Sequence, residues 1–85
     1  MAYETMTNEE RANTDKLDFY FQEKIKVHII LKRTNKEGRN IFLNGLILEK
    51  LTPRVWMLRE RILGDVRIAI SEIREDGVKE MEVRV

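Results

Sequence analysis

The sequence predicts a mainly β domain, a short N-terminal helix followed by a strongly bent five-stranded antiparallel small barrel. Three observations predict it. Residues 24–32 alternate apolar and polar with a period of two, the spacing of a strand buried on one face. A second long apolar run, residues 40–51, carries Gly45 at its middle, where a flat strand gains nothing from glycine but a bent one does. Turn residues then punctuate the remainder into short segments, at Thr52 and Pro53, at 63–65 and at 75–77.

Each element follows from its residues. Residues 1–13 are polar and aperiodic and read as a mobile arm ahead of one domain spanning 14–85. Thr14 or Asp15 can cap a helix whose Leu17, Tyr20 and Phe21 share one apolar face, placed to cover a barrel opening. In the first strand Ile25, Val27, Ile29 and Leu31 face inward, against Lys24, Lys26, His28, Ile30 and Lys32. The connection 33–39 has the Asn and Gly of a hairpin but is longer than a two-residue turn. The second strand is apolar on both sides, with Ile41, Leu43 and Ile47 opposite Phe42, Leu46 and Leu48. Gly45 either allows a sharp bend or faces a bulky neighbour such as Trp56. Pro53 ends this strand, having no amide hydrogen for a ladder. A third strand runs over 54–61, a fourth over 66–71 and a fifth over 78–85, where Met81, Val83 and Val85 alternate with Glu80, Glu82 and Arg84.

The bulk numbers agree with one small domain. At 85 residues, 42% hydrophobic and 36% charged, the chain suits a single compact unit. A domain of this size buries only about 60–65% of its unfolded surface. Without cysteine or a cluster of metal ligands, oligomerisation is the supplement left for so thin a core. The lack of cysteine also fits a cytoplasmic protein. Residues 1–11 carry Glu4, Glu9 and Glu10 and no apolar core, so a signal peptide is not expected, nor is a membrane span of about 20 apolar residues.

The net charge of +1 conceals an asymmetry. Residues 1–23 hold six acids and two bases, residues 24–67 eleven bases and four acids, and residues 68–85 five acids and three bases. A basic middle can attract phosphate while the whole chain stays near neutral, although the same charges also serve as a solvated surface.

Two short motifs resemble the signatures of the Sm-like (Sm, LSm and Hfq) RNA-binding proteins. Leu43, Asn44, Gly45, Leu46 and Ile47 resemble the first, a hydrophobic pair around glycine. Leu63, Gly64, Val66, Ile68 and Ile73 resemble the second. Ala69, Ile70 and Ser71 look like the close of the fourth strand in bacterial Hfq, and Val27, Ile29 and Leu31 like its first strand, so the resemblance spans about residues 17–83. It implies a closed homo-oligomeric ring, formed by pairing strand four of one copy with strand five of the next, around single-stranded RNA. Val66, Ile68 and Ile70 would then meet Met81, Val83 and Val85.

The chain departs from that pattern where the chemistry lies. Lys50, Leu51, Thr52, Pro53 and Arg54 occupy the turn that in the family holds an aspartate and a base-stacking aromatic residue. Ala69 and Ile70 replace the Arg-Gly pair of many members, and Arg67 and Ile68 the Lys-His pair of Hfq. The resemblance therefore implies RNA contacts from Arg54, which can pair with phosphate and stack on a base, from Lys50 and Arg67 to the backbone, and from the Thr52 or Ser71 hydroxyl to a base edge or ribose. Taken singly, each of these reads first as a solvated surface group, and a ring would multiply whichever contact is real. Trp56 reads as a core or interface residue or, less simply, as a base platform.

Nothing in the sequence calls for catalysis, a cofactor or a small-molecule substrate. His28 is the only histidine, no phosphate-cradling glycine loop is present, and Glu72, Glu75 and Asp76 read as a solvated acidic turn or a weak cation site. The expected function is non-catalytic binding of single-stranded RNA, in RNA processing or chaperoning. The alternatives are a small barrel that binds DNA and a protein-interaction scaffold of the same fold that binds no nucleic acid.

Overall fold

A computed structural model describes residues 5–82. Helix α1 (Asn8–Glu23) precedes strands β1 (Val27–Thr34), β2 (Asn40–Thr52), β3 (Val55–Glu60) and β4 (Gly64–Ala69), a 3-10 turn (Ile70–Glu72) and strand β5 (Ile73–Glu80). The five strands form one antiparallel sheet in the order β4-β3-β2-β1-β5. β4 and β5 are its two edges and are not paired with each other, so the sheet is open rather than closed into a barrel.

The helix begins seven residues before the earlier of the two expected starts. Thr7 is its N-cap, the Thr7 hydroxyl accepting from the Glu10 N–H at 3.1 Å and the Glu10 carboxylate from the Thr7 N–H at 3.0 Å. This reciprocal box satisfies two backbone donors, so the first turns need no apolar face of their own. Residues 8–13, expected as arm, are therefore helical, and Thr14 and Asp15, expected as caps, lie inside the helix, with Asn13 and Thr14 buried. Lys24, at φ 56°, ends it, which delays β1 to Val27.

One face of the sheet carries the core. Val27, Ile29 and Leu31 of β1, Leu43 and Ile47 of β2, Trp56 and Leu58 of β3, Ile68 of β4 and Ile73 and Val78 of β5 form one cluster with Leu17 of α1 and Ile70 of the 3-10 turn. The alternation read in β1 is thus the observed one. Trp56 is 1% exposed, a core residue, with Phe21 edge-on at a centroid distance of 6.0 Å.

Two irregularities mark β2. Its register with β3 slips between Ile47 and Glu49 and again between Lys50 and Thr52, leaving Leu48 and Leu51 as extra residues. Gly45 faces backbone: a Cβ there would collide with the carbonyl oxygen of Arg59, on the strand alongside. The bulky-neighbour reading, with Trp56, is therefore replaced by close approach of two main chains.

The later boundaries also differ. The turn expected at 63–65 lies at residues 61–63, and Gly64 opens β4. The segment 75–77 is no turn between elements but a register shift inside β5, with Asp76 at φ 54°, so β5 begins at Ile73. Ile68 and Ile70 are buried in the chain's own core, so a neighbouring copy would meet the β4 edge through its backbone and Val66. Val83, Arg84 and Val85 lie outside the described residues.

Candidate nucleic-acid interface

Thr52, Pro53 and Arg54 form a tight connection in which the Thr52 hydroxyl accepts from the Arg54 N–H at 3.1 Å. The Ile70 N–H donates to the Arg54 carbonyl at 2.8 Å, tying this connection to the 3-10 turn that carries Ser71. Ser71, distant in sequence, is thus brought beside Thr52 and Arg54 at one end of the sheet. Thr52, Arg67 and Ser71 are exposed.

The structure does not bring all five expected residues onto one surface. Lys50 pairs across the ladder with the buried Trp56 and sits with its ammonium 5.0 Å from the centre of that ring, on the side covered by α1. Arg67 pairs with Met57, one position out of phase with Trp56, and so lies on the opposite face.

Two of the expected cations are also engaged by the helix. The Lys50 ammonium lies 3.2 Å from the Asp18 carboxylate, and the Arg54 guanidinium 3.7 Å from that of Glu10. The acidic N-terminal segment and the basic middle, read apart in the sequence, are thus set against each other. Arg67 makes no such pair among the described residues.

Sequence reasoning missed a second basic surface, on the outer face of the sheet. Cross-strand pairing aligns Lys79, His28 and Asn44, and the Arg61 N–H extends the row by donating to the Asn44 carbonyl at 2.8 Å. His28 is half-buried, its Nδ1 2.6 Å from Asn44 Oδ1, and its ring stacks on Phe42 at 5.0 Å. The available signal was the alternation of β1, which puts Lys26 and His28 on one face; their neighbours on β2, β3 and β5 required the register.

Glu60 organises the edge of this surface. It is buried, and its carboxylate accepts from the N–H groups of Asn44 at 2.9 Å, Ile62 at 2.7 Å and Leu63 at 3.0 Å. The Asn44 bond foremost holds its carboxyl below the usual carboxylate range; the other two N–H groups and the charge of Arg61 act in the same direction, and burial opposes them. The hairpin tip so fixed presents Ile62 and Leu63 to solvent, 80% and 66% exposed.

The acidic residues of β5 and the preceding turn do not converge. Glu72 accepts from the Ala69 N–H at 3.0 Å, and Asp76 lies 2.6 Å from Lys16 and 3.5 Å from Lys79. Among the described residues no group of three or more His, Cys, Asp or Glu could hold a metal ion, and no helix is long and apolar enough to cross a membrane.

Compared with known proteins, the chain matches no family model, no curated protein and no solved structure. Its helix and five-stranded antiparallel sheet are compatible with an Sm-like fold.

Proposed function

We propose that the chain is a non-catalytic nucleic-acid-binding protein that holds single-stranded RNA in a closed homo-oligomeric ring of Sm-like subunits. The observation that carries this reading is the strand order, which leaves β4 and β5 as unpaired edges on opposite sides of the sheet. An unpaired edge invites another strand, and joining two different edges head to tail gives a ring wherever the rotation closes. In a ring, the Thr52–Arg54 connection and Ser71 recur once per subunit around the axis. Contacts weak in one copy then act together on one strand.

Native mass spectrometry with short uridine-rich and adenine-rich RNA oligomers tests this. A closed oligomer carrying one or a few strands is the expected result, and a bare monomer at micromolar concentration would end the ring reading. Arg67→Ala is expected to weaken RNA binding and reduce its salt dependence without changing oligomer mass. Arg54→Ala should do the same, but its loss also removes the Glu10 contact, so Arg67 is the cleaner probe. Unchanged affinity in both variants would clear Arg54 and Arg67 of this role. Competition among single-stranded RNA, single-stranded DNA and duplex separates the nucleic-acid classes.

The helix acids supply a further test. If Lys50 and Arg54 contact RNA, Asp18 and Glu10 compete with phosphate for them. The double variant Asp18→Asn, Glu10→Gln keeps side-chain size and is expected to bind RNA several-fold more tightly at low salt. Equal or weaker binding, measured by fluorescence anisotropy, would remove these two cations from the interface.

A second reading, a protein-interaction scaffold of the same fold, is favoured by the same ion pairs and by the exposed Ile62–Leu63 tip beside the β4 edge. An oligomer that stays bare with every RNA tested would select it.

A further inference from the structure

The outer face of the sheet carries two adjoining concavities, of about 410 and 250 Å³, that share Arg61 and Met81. Their combined size suits a small organic ligand. They differ in charge. The smaller is walled by Lys26, Arg59 and Arg61 over a floor of Gly45, Leu46 and Met81, and no carboxylate lines it. The larger is lined by His28, Asn44 and Lys79, with Glu80 and Glu82 on its rim.

The cations of the smaller concavity are open to an anion. Lys26 and Arg61 form no ion pair among the described residues, in contrast to Lys50 and Arg54 on the helix side. Arg59 has one, with Asp65 at 3.0 Å, and both partners of that pair are well exposed. A pair of that kind is worth little and yields readily to a phosphate that can bridge two or three donors.

The larger concavity offers a plane and polar edges. The imidazole of His28 is fixed in orientation by Phe42 behind it and by Asn44 beside it. Asn44 Oδ1 can only accept, so His28 Nδ1 donates, and the side-chain Nδ2–H groups of Asn44 make no hydrogen bond among the described residues. Glu80 and Glu82 repel phosphate from this end but accept hydrogen bonds from the N–H groups of a heterocycle. Phosphate at one end and an N–H-bearing planar ring at the other describe one ligand class.

We propose that this outer sheet face is a binding site for a nucleotide unit, its phosphate on Lys26, Arg59 and Arg61 and its base against His28 and Asn44. The unit comes either from a free nucleotide or from a single strand laid across the sheet. The site lies outside the Thr52–Arg54 connection and Ser71, and needs neither a ring nor those contacts.

The test is titration of the isotopically labelled full chain with GMP, AMP, ribose 5-phosphate and a short single-stranded RNA oligomer, followed by amide chemical shifts. Expected are shifts centred on Lys26, His28, Asn44, Leu46 and Arg61 with GMP or AMP, and ribose 5-phosphate binding about tenfold more weakly. The double variant Lys26→Gln, Arg61→Gln should lose binding of all phosphate ligands while remaining folded, its unfolding midpoint lowered only by the loss of the Arg61 charge beside Glu60. His28→Ala should lose the preference for nucleotide over ribose 5-phosphate and retain binding of the latter. Shifts on this face with the oligomer and not with GMP or AMP would support the site and identify a strand as the source. No shift on this face with any ligand, or equal binding of ribose 5-phosphate and nucleotide by the wild type, overturns the proposal. Shifts confined to Lys50, Thr52, Arg54 and Ser71 would overturn it while leaving the loop interface standing, and the converse pattern would do the reverse.

Discussion

Gly45→Ala is expected to destabilise the fold by about 3 kcal/mol or more, a large share of the stability of a small domain. The added methyl would lie inside contact distance of the Arg59 carbonyl oxygen, 2.8 Å from its carbon and 3.0 Å from the Glu60 Cα, all of them backbone atoms. No rotamer change relieves such a clash; the β2–β3 ladder itself must open at Gly45 and Glu60. Gly38→Ala is the control. Nothing lies within 4 Å of its position, and the cost comes only from φ +79°, about 1 kcal/mol. Urea unfolding of the two variants separates steric from conformational cost, and equal midpoints would refute the close approach at Gly45.

Glu60→Gln is the second large effect, expected at about 2 kcal/mol because an amide cannot accept at both ends and leaves a backbone N–H of Asn44, Ile62 or Leu63 without its partner. The pH dependence has a definite sign. Hydrogen bonding lowers the folded-state carboxyl below its unfolded value, so its contribution is present in full above the ordinary glutamate range, near pH 4.3, and is lost as pH falls through the lowered folded value. The stability difference between wild type and Glu60→Gln should therefore be constant at neutral pH and shrink in acid. Subtracting the variant also removes the parallel contribution of Asp76, whose carboxyl is lowered chiefly by its hydrogen bond to Lys16. A difference that persists unchanged in acid would show that the charge of Glu60 does not matter. Because Glu60 also anchors Asn44 and the tip after Arg61, the same variant should weaken nucleotide binding on the outer face.

What could be read in advance was local. The period-two pattern of β1 and the stop at Pro53 each act within a few residues, and each is where the sequence puts it; Gly45 is also in β2, but what requires it there is the backbone of β3. The helix start is written in Thr7 and Glu10, whose capping box lets the first helical turns form without the apolar stripe that marks Leu17, Tyr20 and Phe21. The start of β5 was hidden because Glu75, Asp76 and Gly77 have turn chemistry yet serve an irregularity within a strand. Ile68 and Ile70 read as available to a partner; they join the face that α1 covers and so belong to the chain's own core.

By itself the sequence determined the element order, one helix and then five strands, and the inward face of the first strand, since side-chain periodicity and backbone-restricting residues act along the chain. Only the tertiary structure decided which charges are open to a ligand. Asp18 and Lys50 meet across 32 residues because Leu17 packs α1 onto the sheet, and Lys26, Asn44, Arg61 and Lys79 share a surface because the ladders set their register. Charge is a property of residues; whether it is neutralised depends on what folding brings beside it.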